Sequence, residues 1–281
     1  MVSSTIACFL TCGYTESGAM QGFLRRINGA FEYRQYLPNK TRKRKGSPKL
    51  ISRELSGLTG TELLDKTLHI IEQNVDEAQN WGAVLYEDDA DMLYSSETYE
   101  EIQSYMTHIQ HSVRNAVGRD IPVIVLFASP EIESWFIADW SNGFEYLYSD
   151  SGVVDDIEYS AAKYFCHRFR SWIISTLQAN CRDESNIETY NCLYGTGYTK
   201  LSDQIINFFE PCSLQAYIHS DKKRNLDHEQ QIISSRRLFY SKKDYGDIML
   251  RNIDPNVLAR NCTIFFAVAY KQLVALNPTN I

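Results

Sequence analysis

The chain has no run of 18 or more apolar residues, so the sequence predicts no membrane span. It has no Cys-x-x-Cys pair. Its seven cysteines (Cys8, Cys12, Cys166, Cys181, Cys192, Cys212 and Cys262) are odd in number and scattered, which argues against a disulfide framework and a zinc-ligand set. They read as reduced thiols, and a cytoplasmic location is the expectation. The opening residues, Met1-Val2-Ser3-Ser4-Thr5, lack a basic n-region, so no signal peptide is expected. No Walker A sequence occurs, so nucleotide-driven control would have to come from another protein. Internal repeats and low-complexity tracts are absent as well. What is present is ordinary globular material: 281 residues, 44% hydrophobic and 12% aromatic, enough for a sizeable core.

The net charge of -7 is unevenly spread. Lys40, Arg42, Lys43, Arg44, Lys45 and Lys49 fall within ten residues that contain no acid. Such a loop suits a phosphate backbone. Gly46, Ser47 and Pro48 suit a solvated loop equally well, and both readings stay open.

The sharpest feature is an acidic cluster, Glu87-Asp88-Asp89-Ala90-Asp91, set directly after the apolar run Ala83-Val84-Leu85-Tyr86. Carboxylates crowded at the end of a buried strand repel one another unless a cation sits among them. Their hard oxygens favour Mg²⁺ or Mn²⁺. The bland alternative is a solvated acidic turn.

Periodicity orders the first half as alternating strands and helices. Thr5 to Leu10 reads as a buried strand, residues 12–18 as a turn, and Ala19, Met20, Phe23, Leu24 and Ile27 as one helix face. Residues 30–37 suit a second strand. Thr59-Gly60-Thr61-Glu62 matches a capping box for a helix carrying Leu63, Leu64, Leu68, Ile71 and Val75, which Trp81-Gly82 ends. Ser95 or Ser96 starts a helix with Ile102, Met106, Ile109, Val113 and Ala116 on its apolar face, stopped by Gly118. Ile121 to Ala128 reads as a strand buried on both faces. Ser129-Pro130 opens a helix over Glu131 to Trp140. Later come a long helix over 159–180, a polar loop over 181–200, a helix over 201–209, a mixed stretch from Arg236 to Asp254 and an apolar helix from Cys262 to Leu276. The expected fold is α/β: a mixed or mostly parallel sheet flanked by helices, with a largely helical insertion and C-terminal part. The expected divisions are an α/β core over 1–150, an insertion over 151–235 and a returning segment over 236–281.

In such sheets ligands bind beyond the carboxyl ends of the strands. Three such ends, at Cys12–Glu16, Glu87–Asp91 and Ser129–Glu133, all carry carboxylates. The candidate catalytic residues are therefore Glu16, Asp89 and Glu133. Glu16, Glu87, Asp89 and Asp91 are the candidate metal ligands. Both Glu87 with Asp89 and Asp89 with Asp91 fit an acid-x-acid spacing, and that register stays open. Lys40, Arg42, Lys43, Arg44, Lys45, Lys242 and Lys243 are the candidate phosphate contacts, with pairing to the acids as the alternative for the last two. Trp135 and Phe136 read as core. His108, His111 and His228 read as surface residues, since no partner ligand motif accompanies them. Cys12 has no nearby base to make it a nucleophile.

These segments resemble the TOPRIM-like superfamily, which pairs a Gly-x-Thr-Glu turn after its first strand with an acidic cluster after a later one. More narrowly they resemble the RloB-like branch, small proteins encoded beside ABC-type ATPases in phage-defence, abortive-infection operons. Cys12-Gly13-Tyr14-Thr15-Glu16 stands where that group has Glu-Gly-x-Thr-Glu. Pro130 to Asp139 (PEIESWFIAD) resembles its Glu-x-Trp-hydrophobic-Asp helix. Lys242-Lys243-Asp244-Tyr245-Gly246, Ile253-Asp254 and Cys262 to Phe266 resemble its closing pattern. The resemblance implies a Mg²⁺- or Mn²⁺-dependent nuclease-like effector acting on DNA or RNA with an ABC-type ATPase subunit, and leaves a homo-oligomer open. The alternative it implies is a catalytically weak subunit that regulates the ATPase. Cys12 is the departure, since a thiol does not replace a carboxylate on a hard metal.

Overall fold

The structure is a computed structural model. It describes residues 4–11, 13–38, 57–90, 99–148, 159–177, 181, 183, 185–190, 200–208 and 240–278. The basic loop at 40–49, Asp91, Cys12, His228 and the Ser95/Ser96 start signal lie outside the described residues.

Among the described residues four strands form one sheet: β1 (Thr5–Phe9), β2 (Glu32–Leu37), β3 (Trp81–Asp89) and β4 (Val123–Ala128), in the order β2-β1-β3-β4. All three pairings are parallel, where a mixed sheet was also allowed for. Parallel neighbours need crossovers, and the helices supply them. Alternation along each strand sends side chains to two faces. On one face Ile6, Cys8, Leu85, Ile124 and Leu126 pack with α1 (Tyr14–Ile27) through Met20, Phe23 and Leu24. On the other, Ala7, Phe9, Val84, Tyr86, Val125 and Phe127 pack with α2 (Gly60–Gln73) and α4 (Tyr99–Val117). A short α3 (Val75–Ala78) follows α2. Both faces are covered, which is why β4 is apolar at every position.

After β4 the chain adds α5 (Glu133–Ala138), α6 (Phe144–Leu147) and α7 (Tyr159–Trp172), which continues as a π-helical turn, Ile173–Leu177. A 3₁₀ turn, Ile187–Thr189, and a helix α8 (201–208) follow. The chain closes with α9 (Lys242–Asn252), α10 (Pro255–Asn261) and α11 (Phe266–Ala275). Phe169, Ile187, Leu201 and Ile205 share one apolar core with the α1 face of the sheet.

Several boundaries differ from the sequence reading. The supposed turn at 12–18 is helical from Tyr14, which makes Glu16 a first-turn residue of α1. The capping box is not made: the Thr59 side chain caps nothing, and the carboxylate of Asp88 accepts the Gly60 N–H at 2.8 Å instead. Helix α2 stops at Gln73, leaving Val75 49% exposed instead of on the apolar face, and Trp81-Gly82 opens β3. Strand β4 starts at Val123, two residues after Ile121. Helix α5 is shorter than Glu131 to Trp140. Helix α7 turns π-helical at Ile173, and the C-terminal helix begins at Phe266 after a separate α10. Trp135 and Phe136 are fully buried, and His108 and His111 are exposed on α4.

Candidate functional site

The strand order changes direction at β1: β2 lies to one side and β3 to the other. Such a switch point opens a crevice beyond the carboxyl ends of the two central strands. Glu16 follows β1 there, and Glu87 to Asp89 end β3. Glu131 and Glu133 follow β4, the neighbour of β3.

The pleat separates the acidic cluster into two groups. Glu87 and Asp89 share the face of Ala83 and Leu85, toward α1. Asp88 points the other way, and its carboxylate accepts from Gly60 N at 2.8 Å, Tyr86 Oη at 3.2 Å and Asp89 N at 2.9 Å. Asp88 is thus a fully used structural acceptor at the start of α2. Of the two acid-x-acid registers, the described residues contain only Glu87 with Asp89.

Helix α9 brings the remaining members. It lies alongside α1: Arg26 donates to Ile253 O at 2.6 Å and Leu250 O at 2.7 Å, and Arg251 donates to Gly18 O at 3.1 Å. At the other end Gly246 meets Thr15 so closely that a Cβ would collide with the Thr15 hydroxyl. Gly13 likewise leaves room for the Glu16 carboxylate, which a Cβ would strike. This contact sets the start of α9 over the acidic crevice. Lys242 Nζ lies 3.4 Å from Glu133 Oε2 and 4.0 Å from Asp89 Oδ2. Tyr240 Oη donates to Glu133 Oε1 at 2.7 Å. Lys243 is exposed on the neighbouring position.

Glu131 is held from the start of α8: its carboxylate accepts from Ser202 N at 3.0 Å and Ser202 Oγ at 2.9 Å. Asp139, at the end of the α5 motif, accepts from Asn142 Nδ2 and from Asp254 N at 2.7 Å. It ties α5 to α10 and takes no part in the crevice.

The crevice carboxylates fall short of partners. Both carboxylate oxygens of Glu16, Oε1 of Glu87 and Oδ1 of Asp89 are buried and have no hydrogen-bond partner among the described residues. Glu87 Oε2 accepts from Thr11 N at 3.0 Å. Burial raises the Glu16 carboxyl above its usual range; Lys242 pulls it back and Glu133 pushes it up. Glu87 is raised well above its usual value by burial and by Glu16, against the Thr11 N–H. Asp89 is raised well above its own by burial, which Lys242 opposes, and further by Glu16, Glu131 and Glu87. Burial also raises Glu131, with Glu133 adding to it. Lys242 shows the reverse balance. Burial pulls its ammonium down, but Glu133, Asp89, Glu16 and Glu131 together hold it well above the ordinary lysine value.

The donor set therefore suits a hard divalent cation in kind: carboxylate oxygens only, several of them buried and unpartnered. In position the set is spread around the Lys242 ammonium, and among the described residues no three His, Cys, Asp or Glu side chains converge on one metal position. The structure brings together Glu16, Glu87, Asp89, Glu133 and Lys242 from the sequence-based candidates and leaves Lys243 at the surface. Two neighbours escaped sequence reasoning. Glu131 carries no signal beyond its place in the segment from Pro130 to Asp139, and Tyr240 none beyond standing two residues before Lys242.

Comparison with protein-family models, with curated proteins and with solved structures finds no match for this chain. The class that the fold itself defines is an α/β protein with a four-stranded, all-parallel sheet and acids gathered at its switch point. No helix among the described residues is long and apolar enough to cross a membrane.

Proposed function

We propose that the chain is a TOPRIM-like, Mg²⁺- or Mn²⁺-dependent nuclease-like effector, working with an ABC-type ATPase in a bacterial anti-phage defence system. The observation that carries this reading is the set of buried, unpartnered oxygens on Glu16, Glu87 and Asp89 at the switch point. Burying that much uncompensated charge is costly, and proteins retain such arrangements where a cation or a reacting group completes them.

Glu16, Glu87 and Asp89 would hold the metal; Asp91, outside the described residues, stays a ligand candidate from its spacing. When bound, a divalent cation supplies an activated water and neutralises charge on the leaving oxygen of a phosphodiester. Glu16, in the first turn of α1 beyond the end of β1, is the acid/base candidate as well as a ligand candidate. Glu133 is fixed by Tyr240 on one oxygen and Lys242 on the other, and so presents a rigid negative wall to the crevice. The loop carrying Lys40, Arg42, Lys43, Arg44 and Lys45 is proposed to hold the nucleic-acid backbone without reading sequence.

A second reading, the regulatory subunit without cutting activity, is favoured by one observation: the Lys242 ammonium already stands among the acids. Cys12, in place of the first glutamate of the turn, points the same way.

The test is Mn²⁺-dependent cleavage of plasmid DNA and of total tRNA by the purified protein, alone and with its neighbouring ATPase, beside Asp89→Ala. Cleavage that the variant loses is the expected result and names the polymer. Cleavage that survives in Asp89→Ala removes the metal site from the mechanism. No cleavage under any condition, with the ATPase still bound, leaves the regulatory subunit as the function.

A further inference from the structure

We infer that Lys242 is a built-in counter-ion that shares the acidic crevice with the divalent cation by displacement: the ammonium holds the metal-free state together and gives way when the metal enters. The inference rests on the proposed metal site and adds how that site is regulated.

Lys242 Nζ stands between Glu133, at 3.4 Å, and Asp89, at 4.0 Å. A single ammonium offers three N–H donors and cannot satisfy the carboxylates of Glu16, Glu87, Asp89, Glu131 and Glu133. The shortfall is visible as buried oxygens without partners on Glu16, Glu87 and Asp89. The compensation is therefore partial, and a divalent ion would complete it. Yet a metal and an ammonium cannot both approach Asp89 closely, because two cations at one carboxylate repel. Among the described residues the crevice assembles no three such ligands on one point, and Nζ occupies the space between Glu133 and Asp89 that a cation shared by the crevice acids would contest.

The lysine is built to leave without its helix moving. Its side chain is 29% exposed, so part of the stem already reaches water although the ammonium is desolvated among the acids. The backbone beside it is fixed: Ser241 caps α9 by accepting from Asp244 N at 3.3 Å, and Tyr240 stays anchored to Glu133. Exit is then a change of rotamer about the flexible stem, which costs little for lysine.

Two experiments test this. The first follows Mn²⁺ affinity by calorimetry and thermal shift at about pH 8, where protons compete least for carboxylates. Lys242→Met should bind Mn²⁺ about tenfold or more tightly than the wild type, since a competing unit charge has gone, while Lys242→Arg should stay near the wild type. Equal or weaker Mn²⁺ binding by Lys242→Met, with the wild type still binding, overturns the displacement and leaves the metal site standing. Absence of Mn²⁺ binding in both proteins overturns the site and the displacement together. The second uses the wild-type chain, in case Lys242→Met does not fold. Acylation of Lys242 by a water-soluble amine reagent is followed by mass spectrometry relative to exposed Lys243, with and without Mn²⁺. Displacement predicts a severalfold rise in the Lys242 rate with Mn²⁺; an unchanged or lower rate in a protein that binds Mn²⁺ overturns it.

Discussion

Two groups of buried carboxylates lie within this one protein, and they are treated in opposite ways. Glu188, carried by the 3₁₀ turn Ile187–Thr189, accepts from Ile264 N at 2.6 Å, Phe265 N at 3.2 Å and Phe266 N at 2.9 Å, so it closes the N-terminus of α11. Asp88 and Asp139 are likewise spent on main-chain donors. Glu16 and Glu87, buried as deeply, and the part-buried Asp89 leave oxygens without partners among the described residues. Burial alone therefore does not mark a functional acid. What separates the groups is hydrogen-bond satisfaction: the first group substitutes for helix caps, and the second keeps capacity free for something that is not protein.

The largest effect should come from breaking the satisfied group. Glu188→Ala strands three main-chain N–H groups and undocks the 3₁₀ turn from α11, and should cost about 3 kcal/mol. Chemical denaturation of the metal-free protein measures it; a loss below about 1 kcal/mol would mean that water replaces the carboxylate and that the cap is dispensable. Asp88→Ala comes next, at about 2 kcal/mol, because Gly60 N, Tyr86 Oη and Asp89 N all lose their acceptor near the start of α2. Its effect should be the same with and without Mn²⁺, which separates it from the crevice acids on the other face of β3.

The unsatisfied group should respond with the opposite sign. Asp89→Asn removes one of several mutually repelling charges, so in chelator it should raise stability by about 1 kcal/mol, or Tm by about 2–4 °C, while lowering the stabilisation that Mn²⁺ brings. A fall in Tm in chelator would show that the Asp89–Lys242 contact outweighs the repulsion. The pH dependence follows from the same acids. Glu87 and Asp89 bind protons more tightly folded than unfolded, so protonation favours the folded chain. That contribution is complete below the ordinary carboxylate values near about pH 4 and drains away as pH rises through the raised folded values. Lys242, raised rather than lowered, stays charged across this range and leaves the slope unchanged. In chelator the protein should melt higher at about pH 6 than at about pH 8, and saturating Mn²⁺ should flatten or reverse the difference. A Tm that rises steadily over that interval without metal would contradict the raised values.

Much of the scaffold was legible in the chain. The apolar runs read at Thr5 to Leu10, Ala83 to Tyr86 and Ile121 to Ala128 contain or fall within β1, β3 and β4, and their alternation with amphipathic segments led to an α/β sheet. The three strand ends open on one crevice by the general rule for such sheets, and Glu16, Glu87, Asp89 and Glu133 lie at it, spread around the Lys242 ammonium rather than on one point. Boundaries were less legible because tertiary contacts set them. Glu16 joined α1 rather than a turn because Gly13 lets the carboxylate fold back against the chain. The capping box at Thr59 went unused because Asp88, 28 residues on, supplies a better acceptor to Gly60.

By itself, the sequence determined the local pattern: which stretches are buried strands and which acids stand at their ends. These follow from backbone geometry acting over a few residues. That β3 runs on through Asp89, so that Glu87 and Asp89 share a face and Asp88 takes the other, came only with the structure. Only the tertiary structure decided which acids are satisfied and which are not. Tyr240 and Lys242 reach Glu133 across more than 100 residues, and Ser202 reaches Glu131 across 71. Hydrogen bonding and charge compensation depend on distance in space, and a chain that returns to its first helix through α9 sets those distances only once it has folded.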